Sequence, residues 1–388
     1  MKKNYWIFAA AAVALAACSN DDTITVNQGI EEANTIGFNT IVEGQTRASG
    51  ITSGNLLSFY VTANRGDEIY FGGTPVQFAK DNTTDPVSYR SETKYYWPSE
   101  GKLDFYAFAP ATGATITRND STTFSVTPAA APASQEDFVY GVVRQQDKTT
   151  GGQGVQLNFR HAMSNVIIQL KNSSADKSVT VADVAIGYIM PTGTFHPVFK
   201  TAEGNQIGFC TDGTDISNVT AASETGFYIV PGAWATSGDD DDRISYTQTA
   251  TTTAYAANTT TATALPADMI LVPQTLVYPG AYSAATAGSG YDGACITVQL
   301  KIQDAQGHYL AGTANNPVTA MWPLAATQWL PGHKYTYTLD LAGGGYYTTN
   351  QDNDADLDPI LENQEIFFLT PTVAEWIAAP GIDVNNNN

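Results

Sequence analysis

The sequence predicts an all-β protein built as two β-sandwich domains. It is 11% aromatic, with 20 Tyr, and these residue types favour strands, while long runs of helix-favouring Leu, Glu and Lys are few. Apolar and polar residues alternate in segments such as Leu57–Val61 and Ile296–Ile302, which is the pattern of a strand with one buried face. At 388 residues the chain is long enough for two such domains.

The charge of the chain excludes one class of partner. Thirty-eight acidic and 18 basic residues give a formal net charge of -20. This charge repels a phosphate backbone, and the sequence has no basic cluster to oppose it. We therefore expect no nucleic-acid binding.

Residues 1–17 have the pattern of a signal peptide. Lys2 and Lys3 precede an apolar run over residues 5–17, which is too short to span a bilayer and has the length of a signal-peptide core. The run ends in Leu15-Ala16-Ala17-Cys18, which resembles the lipobox of bacterial lipoproteins. The alternative is an ordinary signal peptide with a chance cysteine near its cleavage site.

The lipobox resemblance implies a lipid anchor at Cys18. In such lipoproteins the cysteine becomes the first residue and its sulfur carries diacylglycerol, so palmitate-type acyl chains hold the protein in the membrane. The polar, acidic segment Ser19-Asn20-Asp21-Asp22 follows and resembles the surface-export signal of Bacteroidota lipoproteins. Together these features imply the outer face of the outer membrane.

A short alternating strand precedes a lone basic residue. Ile36, Phe38, Thr40 and Val42 fall at period two, so one face of this strand can pack into a core. Arg47 follows in a stretch of small and polar residues, which is typical of an exposed segment open to proteolysis. A plain surface arginine in a loop is the alternative.

Composition divides the rest of the chain into two domains and a tail. Residues 103–110 are apolar on both faces, which predicts a central strand. The polar, Gly-rich interval 145–154 predicts a boundary, with an N-terminal domain over 48–150 and a C-terminal domain over 151–349. The tail, residues 350–388, begins with an acidic linker and contains two apolar segments, Ile366–Leu369 and Val373–Ile377.

The sequence predicts no catalytic site, no metal and no cofactor. None of the four His residues lies at the spacing of a metal or catalytic motif, and we expect His161 to be a hydrogen-bonded core residue. The alternating acidic residues of 352–358 lack the Gly and the bidentate Glu of a calcium loop, so they indicate a solvated linker. Cys210 and Cys295 either form a disulfide or stay separate thiols, and their spacing leaves both open.

Several stretches, in one order along the chain, resemble the fimbrillin family of Bacteroidota, whose members build type V pili. They are the lipobox at Cys18, Ile36-x-Phe38 before Thr46-Arg47-Ala48, Tyr96-Trp97-Pro98 before Leu103-Asp104-Phe105-Tyr106-Ala107, Leu157-x-Phe159-x-His161-Ala162-Met163-Ser164, Trp329-x-Pro331-Gly332-x-x-Tyr335-x-Tyr337-x-Leu339, and Val373-x-x-Trp376. The resemblance implies two tandem transthyretin-like β-sandwich domains with a C-terminal strand appendage.

The resemblance also implies a maturation path. Residues 18–47 would form a lipidated propeptide that an Arg-specific protease cuts between Arg47 and Ala48, with loss of the first strand. The groove left behind would accept the C-terminal strand of another subunit. The candidate donor residues are Ile366, Phe368, Val373 and Trp376. Because the donor pattern weakens towards the C-terminus, stalk and tip positions in a pilus both stay open.

The expected partners follow from this path. They are other pilin subunits, the outer membrane through the lipid before maturation, an Arg-specific protease, and a receptor on a host or bacterial surface. The alternative function is a surface lipoprotein that binds a glycan or host ligand and is not polymerised. In neither case do we expect an enzyme.

Overall fold

In the computed structural model the regular secondary structure of the described residues is almost entirely β-strand, which confirms the predicted all-β class. The structure describes residues 34–42, 51, 55–66, 68–82, 88–110, 116–118, 124–152, 154–189, 192–197, 227–231, 244–274, 276, 293–348, 357–361 and 368–375. Within these ranges no helix is long and apolar enough to cross a membrane.

The N-terminal part contains strands β1 to β9 and two short helical turns. The strands are β1 Phe38–Val42, β2 Ser58–Arg65, β3 Glu68–Asp81, β4 Ser88–Arg90, β5 Leu103–Ala109, β6 Ile116–Arg118, β7 Phe124–Val126, β8 Val139–Gln146 and β9 Val155–His161. The helical turns are a 3-10 turn at Pro132–Ser134 and α1 at Lys148–Gly151.

The C-terminal part contains strands β10 to β22. They are β10 Ser164–Asn172, β11 Ser178–Ile189, β12 Gly193–Pro197, β13 Phe227–Pro231, β14 Ile244–Tyr255, β15 Thr259–Ala264, β16 Met269–Leu271, β17 Cys295–Gln303, β18 Tyr309–Ala311, β19 Val318–Pro323, β20 His333–Asp340, β21 Tyr346–Tyr347 and β22 Thr372–Glu375. A 3-10 turn at Leu341–Gly343 follows β20.

The N-terminal strands close into a barrel in the order β1-β4-β3-β2-β5-β8-β9. Every residue of β5, between β2 and β8, is buried, as predicted for a central strand. Aromatic rings, among them Phe59, Phe78, Phe105 and Phe159, pack with aliphatic side chains inside the barrel. The predicted N-terminal sandwich is therefore a closed barrel, in which each strand has two neighbours and no edge is left open. The transthyretin-like topology stays a prediction.

The predicted boundary between residues 150 and 151 falls inside this barrel. The Gly-rich interval connects β8 to β9, and there the Asp147 carboxylate caps α1 by accepting from the amides of Thr149 and Thr150. β9 then pairs with β1 and β8, and its inward side chains belong to the barrel core. The barrel thus extends to His161, because strand pairing decides the boundary and the local glycine signal does not.

The strands from β10 onward, except β12 and β13, form two sheets with a shared core. One has the order β15-β10-β20-β22, with β16 also on β10, and the other has the order β14-β11-β17-β19-β21, with β18 on β17. Their facing side chains form one buried cluster that includes Trp322 and Trp329. Trp329 Nε1 donates to the Tyr337 hydroxyl at 3.0 Å, so the polar atoms of these rings are satisfied inside the core. This part of the chain has the predicted sandwich form.

A small sheet and a third core join the barrel to the sandwich. The sheet has the order β13-β12-β7-β6 and so combines strands of both parts. Phe124 in β7 pairs with Phe195 in β12, and both rings lie in a buried cluster with Met163 and Ile270. The two parts therefore share a buried interface.

Candidate strand-exchange site

Strand β1 completes the barrel between β9 and β4. It runs parallel to β9, with Phe38 opposite Val155 and Val42 opposite Phe159. Its pairing with β4 is antiparallel and short, with Phe38 opposite Tyr89. The Val155 amide donates to the Gly37 carbonyl at 2.8 Å. The slot that β1 occupies is therefore bounded by a long paired edge on β9 and by a short paired edge on β4.

The inward face of this segment is part of the barrel core. Ile36, Phe38 and Val42 are buried, with Phe38 only 1% exposed. The Phe38 ring meets Phe78 and Phe105 edge-on, with ring centroids 4.7 and 5.3 Å away, a favourable geometry for aromatic pairs. The predicted core-facing alternation is thus observed for these three side chains. Whether the strand is removed during maturation stays a prediction.

Thr40 is the exception on this face, because it is only half-buried. Its side chain hydrogen-bonds with Tyr89, whose hydroxyl donates to the Leu56 carbonyl at 2.7 Å. Burial raises the pKa of Tyr89, and the bond with Thr40 opposes that shift. Tyr89 therefore ties β1 to the chain that enters β2.

A buried ionisable pair lies at the end of the barrel where β1 finishes. Asp137 precedes β8 and His161 ends β9, two residues beyond Phe159, which faces Val42. His161 Nδ1 and Asp137 Oδ2 are 2.6 Å apart, with side chains 2% and 0% exposed. The prediction of a hydrogen-bonded core histidine is confirmed. Asp137 was not predicted, because nothing in its local sequence marks it.

The same carboxylate holds the chain just after the predicted cleavage point. The Ile51 amide donates to Asp137 Oδ2 at 3.0 Å. The Ile51 side chain packs against the barrel core. Ile51 is therefore held against the same barrel that β1 completes.

The C-terminal segment lies on the edge of the sandwich. β22 pairs antiparallel with β20, with Val373 opposite Tyr335, and Val373 is 49% exposed. Before it, the Leu369 amide donates to the Pro323 carbonyl at 2.8 Å, and Phe368 packs against a buried cluster that contains Cys295. The predicted donor residues Phe368 and Val373 thus lie on the chain's own sandwich.

Residues 46–376 match the sequence model of a family described as Fimbrillin-like. The chain belongs to the fimbrillin-like family. A comparison with curated proteins finds no match.

Several solved structures resemble this fimbrillin-like chain. A fimbrial protein from Bacteroides vulgatus is 13% identical, with a TM-score of 0.47 over 88% of this chain and 99% of that one. A candidate cell adhesion protein from Bacteroides uniformis is 14% identical, with a TM-score of 0.41 over 89% and 100%. One from Bacteroides ovatus is 14% identical, with a TM-score of 0.42 over 89% and 99%. At these identities no residue role is transferred.

Several predicted site residues of this fimbrillin-like chain lie outside the described residues. They are Cys18, Arg47, Ala48, Cys210, Ile366 and Trp376. Cys295 is described, as a free and buried cysteine whose burial raises its thiol pKa to about 12. Such a thiol is a poor nucleophile at neutral pH. The sequence left both a disulfide with Cys210 and separate thiols open, and Cys210 lies outside the described residues. Within the described ranges no group of His, Cys, Asp and Glu side chains could hold a metal ion.

Proposed function

We propose that this fimbrillin-like chain is a pilus subunit that is exported as a lipoprotein and assembled by strand exchange. The observation that carries the proposal is the position of β1, whose Phe38 lies among Phe59, Phe78 and Phe105 in the barrel core. A strand in that position leaves a shaped groove when it is removed. Family membership supports a role in pili and a structural function, not catalysis.

The energetics of β1 support this assignment. Full burial of an aliphatic or Phe side chain contributes about 1.5–3 kcal/mol, so Ile36, Phe38 and Val42 together contribute on the order of 5–9 kcal/mol. A whole domain is stable by about 5–15 kcal/mol. Loss of β1 therefore leaves the barrel near its stability limit until an equivalent strand enters.

Backbone pairing restricts which segment can replace β1 in the barrel. Without β1, the edges of β9 and β4 expose unpaired amide and carbonyl groups, which an extended segment can satisfy. A replacement that reproduces the pairing of β1 runs parallel to β9. It must also place apolar side chains at period two, because a slip of one residue turns every side chain to the other face.

Cleavage after Arg47 would connect release from the membrane to assembly. The tether and Cys18 lie on the N-terminal side of Arg47, as β1 does. One cut therefore frees the subunit from its lipid and permits β1 to leave. The proposed partners are an Arg-specific protease, the outer membrane before the cut, other pilin subunits after it, and a surface receptor for the assembled pilus.

The proposed donor is the C-terminal segment. β22 is held by one neighbouring strand through four residue pairs and exposes Val373. A strand held this weakly is easier to exchange than one inside a closed barrel. The donor must include Ile366–Leu369 or Val373–Ile377, and a subunit that accepts without donating would lie at a pilus tip.

Limited digestion tests the cleavage step. We expect an Arg-specific protease to cut the full chain first after Arg47 and to leave a stable core that begins at Ala48. Arg47→Ala should abolish that product and the ladders in SDS that collapse only on strong heating. Arg65→Ala is the control and should change neither. Ladders formed by an uncut Arg47→Ala chain would contradict the proposal, and an uncut, unpolymerised chain on cells would favour the ligand-binding lipoprotein.

A further inference from the structure

The core-facing side of β1 has one polar position between apolar ones. Phe38 lies among aromatic rings, and Val42 is buried at the end of the strand. Between them, the Thr40 side chain hydrogen-bonds with the hydroxyl group of Tyr89. Tyr89 is only 2% exposed, so water cannot readily replace Thr40 as its partner.

A second contact of the Tyr89 hydroxyl fixes the direction of this hydrogen bond. A tyrosine hydroxyl has one hydrogen to donate, and Tyr89 donates it to the Leu56 carbonyl at 2.7 Å. The Tyr89 oxygen can therefore only accept from position 40. A Thr or Ser hydroxyl donates such a bond, whereas an aliphatic side chain has no donor and a carboxylate would bring a second acceptor against the oxygen.

Tyr89 is held in place by groups that do not belong to β1. β4 pairs with β3, where Tyr89 lies opposite Lys80. The Tyr89 ring packs on Phe59, with ring centroids 4.9 Å apart, and its hydroxyl is held by Leu56. The acceptor is therefore in position before another strand enters, and a preorganised partner loses less free energy on binding.

A polar position also fixes the register of a strand more narrowly than alternation does. A slip of one residue turns every side chain to the other face, but a slip of two residues keeps the same face inward. In this slot a two-residue slip would put the hydroxyl among the rings around Phe38 and leave Tyr89 without its donor. Burial of an unpaired hydroxyl is unfavourable, and a single buried polar residue fixes register in coiled coils for this reason.

We propose that Tyr89 is a specificity-determining residue of this slot, which selects a strand with a hydroxyl two residues after its buried aromatic ring. The proposal rests on the proposed exchange of β1 and deepens it, because it names the segment that a second copy of this chain supplies. Phe368 and Thr370 have the required spacing. Phe368 then takes the place of Phe38, and Thr370 that of Thr40.

The described C-terminal segment fits this role better than the one that follows it. Thr370 is exposed on the chain's own sandwich and Phe368 is half-buried, so Thr370 gains a buried partner on exchange. The alternative donor segment, Val373–Ile377, contains no Thr or Ser and so offers Tyr89 no hydroxyl.

The same alignment explains why β1 must leave first. It places Pro371 at the position of Ile41. The Gly37 carbonyl accepts from the Val155 amide of β9, and every second residue of a parallel strand bonds to the same neighbour, so the amide of residue 41 also points towards β9. Proline has no amide hydrogen. The donor therefore makes one hydrogen bond fewer than β1 and cannot displace it before cleavage.

A double-mutant cycle in the uncut full chain tests the preference of the slot with β1 as its occupant. Thr40→Val keeps the shape of the side chain and removes the donor. Urea denaturation should show that Thr40→Val raises the unfolding constant about fivefold to tenfold more with Tyr at position 89 than with Phe there. Thr40→Ser is the matched control, because it keeps the hydroxyl, and its effect should be nearly the same in both backgrounds.

Substitutions at Thr370 test the donor. Because Thr370 is exposed before exchange, Thr370→Val should leave the unfolding of the uncut chain unchanged. After cleavage it should lower the temperature at which the ladders in SDS collapse, whereas Thr370→Ser should not. In a Tyr89→Phe chain, Thr370→Val should have no such effect.

Additive effects of Thr40→Val and Tyr89→Phe in the uncut chain would overturn the proposal. Ladders with the same collapse temperature for Thr370→Val and the parent would overturn it as well, and this second result does not depend on whether Tyr89→Phe folds. A parent chain that is cut but forms no ladders would contradict the proposed pilus function instead, and the cycle in the uncut chain would still decide what Tyr89 selects.

Discussion

The two terminal strands of this chain are held very differently. β1 has neighbours on both sides and places Phe38 among three other Phe rings. β22 pairs with one of the described strands, β20, and leaves Val373 half-exposed. Removal of β1 opens a closed barrel, whereas removal of β22 only exposes another edge. The N-terminal strand is thus part of a closed core, while the described C-terminal strand lies at the edge of a sheet.

The largest expected contrast is between single side chains of the two strands. Phe38→Ala should lower the free energy of unfolding of the full chain by about 3–5 kcal/mol, because it leaves a cavity among the rings. Val373→Ala, the control in β22, should change it by less than about 0.5 kcal/mol. Urea denaturation measures both. Equal losses in the free energy of unfolding would contradict the difference between the two strands.

A smaller effect is expected at the hydroxyl that ties β1 to β2. Tyr89→Phe removes the donor to the Leu56 carbonyl and the partner of Thr40, so we expect a loss of about 1–3 kcal/mol. Tyr309→Phe is the control, because Tyr309 is exposed on β18. Urea denaturation should show almost no change for the control. A Tyr89→Phe protein as stable as the parent would show that this link to β1 is dispensable.

Truncation after Pro371 tests the weak attachment of β22. It removes a strand that pairs with β20 through four residue pairs, so the expected loss is on the order of 1–2 kcal/mol. Thermal and urea unfolding of the full and the shortened chain measure the difference. A loss as large as that of Phe38→Ala would mean that β22 is integral to the sandwich and a poor donor.

The smallest effect concerns the reactivity of the Cys295 thiol. Phe368 packs against the cluster that contains this thiol, and burial raises its pKa to about 12. In a chain that lacks Cys18 and carries Cys210→Ser, a thiol reagent should therefore react slowly with Cys295. Leu369→Ala should speed the reaction by loosening the segment, and Leu57→Ala, on the exposed surface of the barrel, should not. Equal rates would show that the segment does not cover Cys295.

The local sequence pattern predicted the buried face of β1 but not the place of β9 in the barrel. The alternation of Ile36, Phe38 and Val42 was sufficient to predict the buried face of β1, because side-chain period and burial are both local. The membership of β9 in the barrel was missed, since the Gly-rich connection after Asp147 looks like a linker and only long-range pairing shows that it is a hairpin. Asp137 was missed for the same reason, because its role depends on His161 and Ile51, which are distant in sequence.

The central claim is that the slot of β1 accepts another strand. It is tested most directly with a variant in which Gly44→Ile, Gln45→Glu and Thr46→Gly create a factor Xa site that ends at Arg47. This variant is cut, the N-terminal fragment is removed in mild denaturant, and peptides are added on return to native buffer. A peptide of residues 34–47 should restore the melting temperature, the same peptide with Phe38→Ala should not, and a peptide of residues 362–377 should restore it if this chain donates. A stripped barrel that no peptide stabilises, or one as stable as the intact chain, would contradict the account.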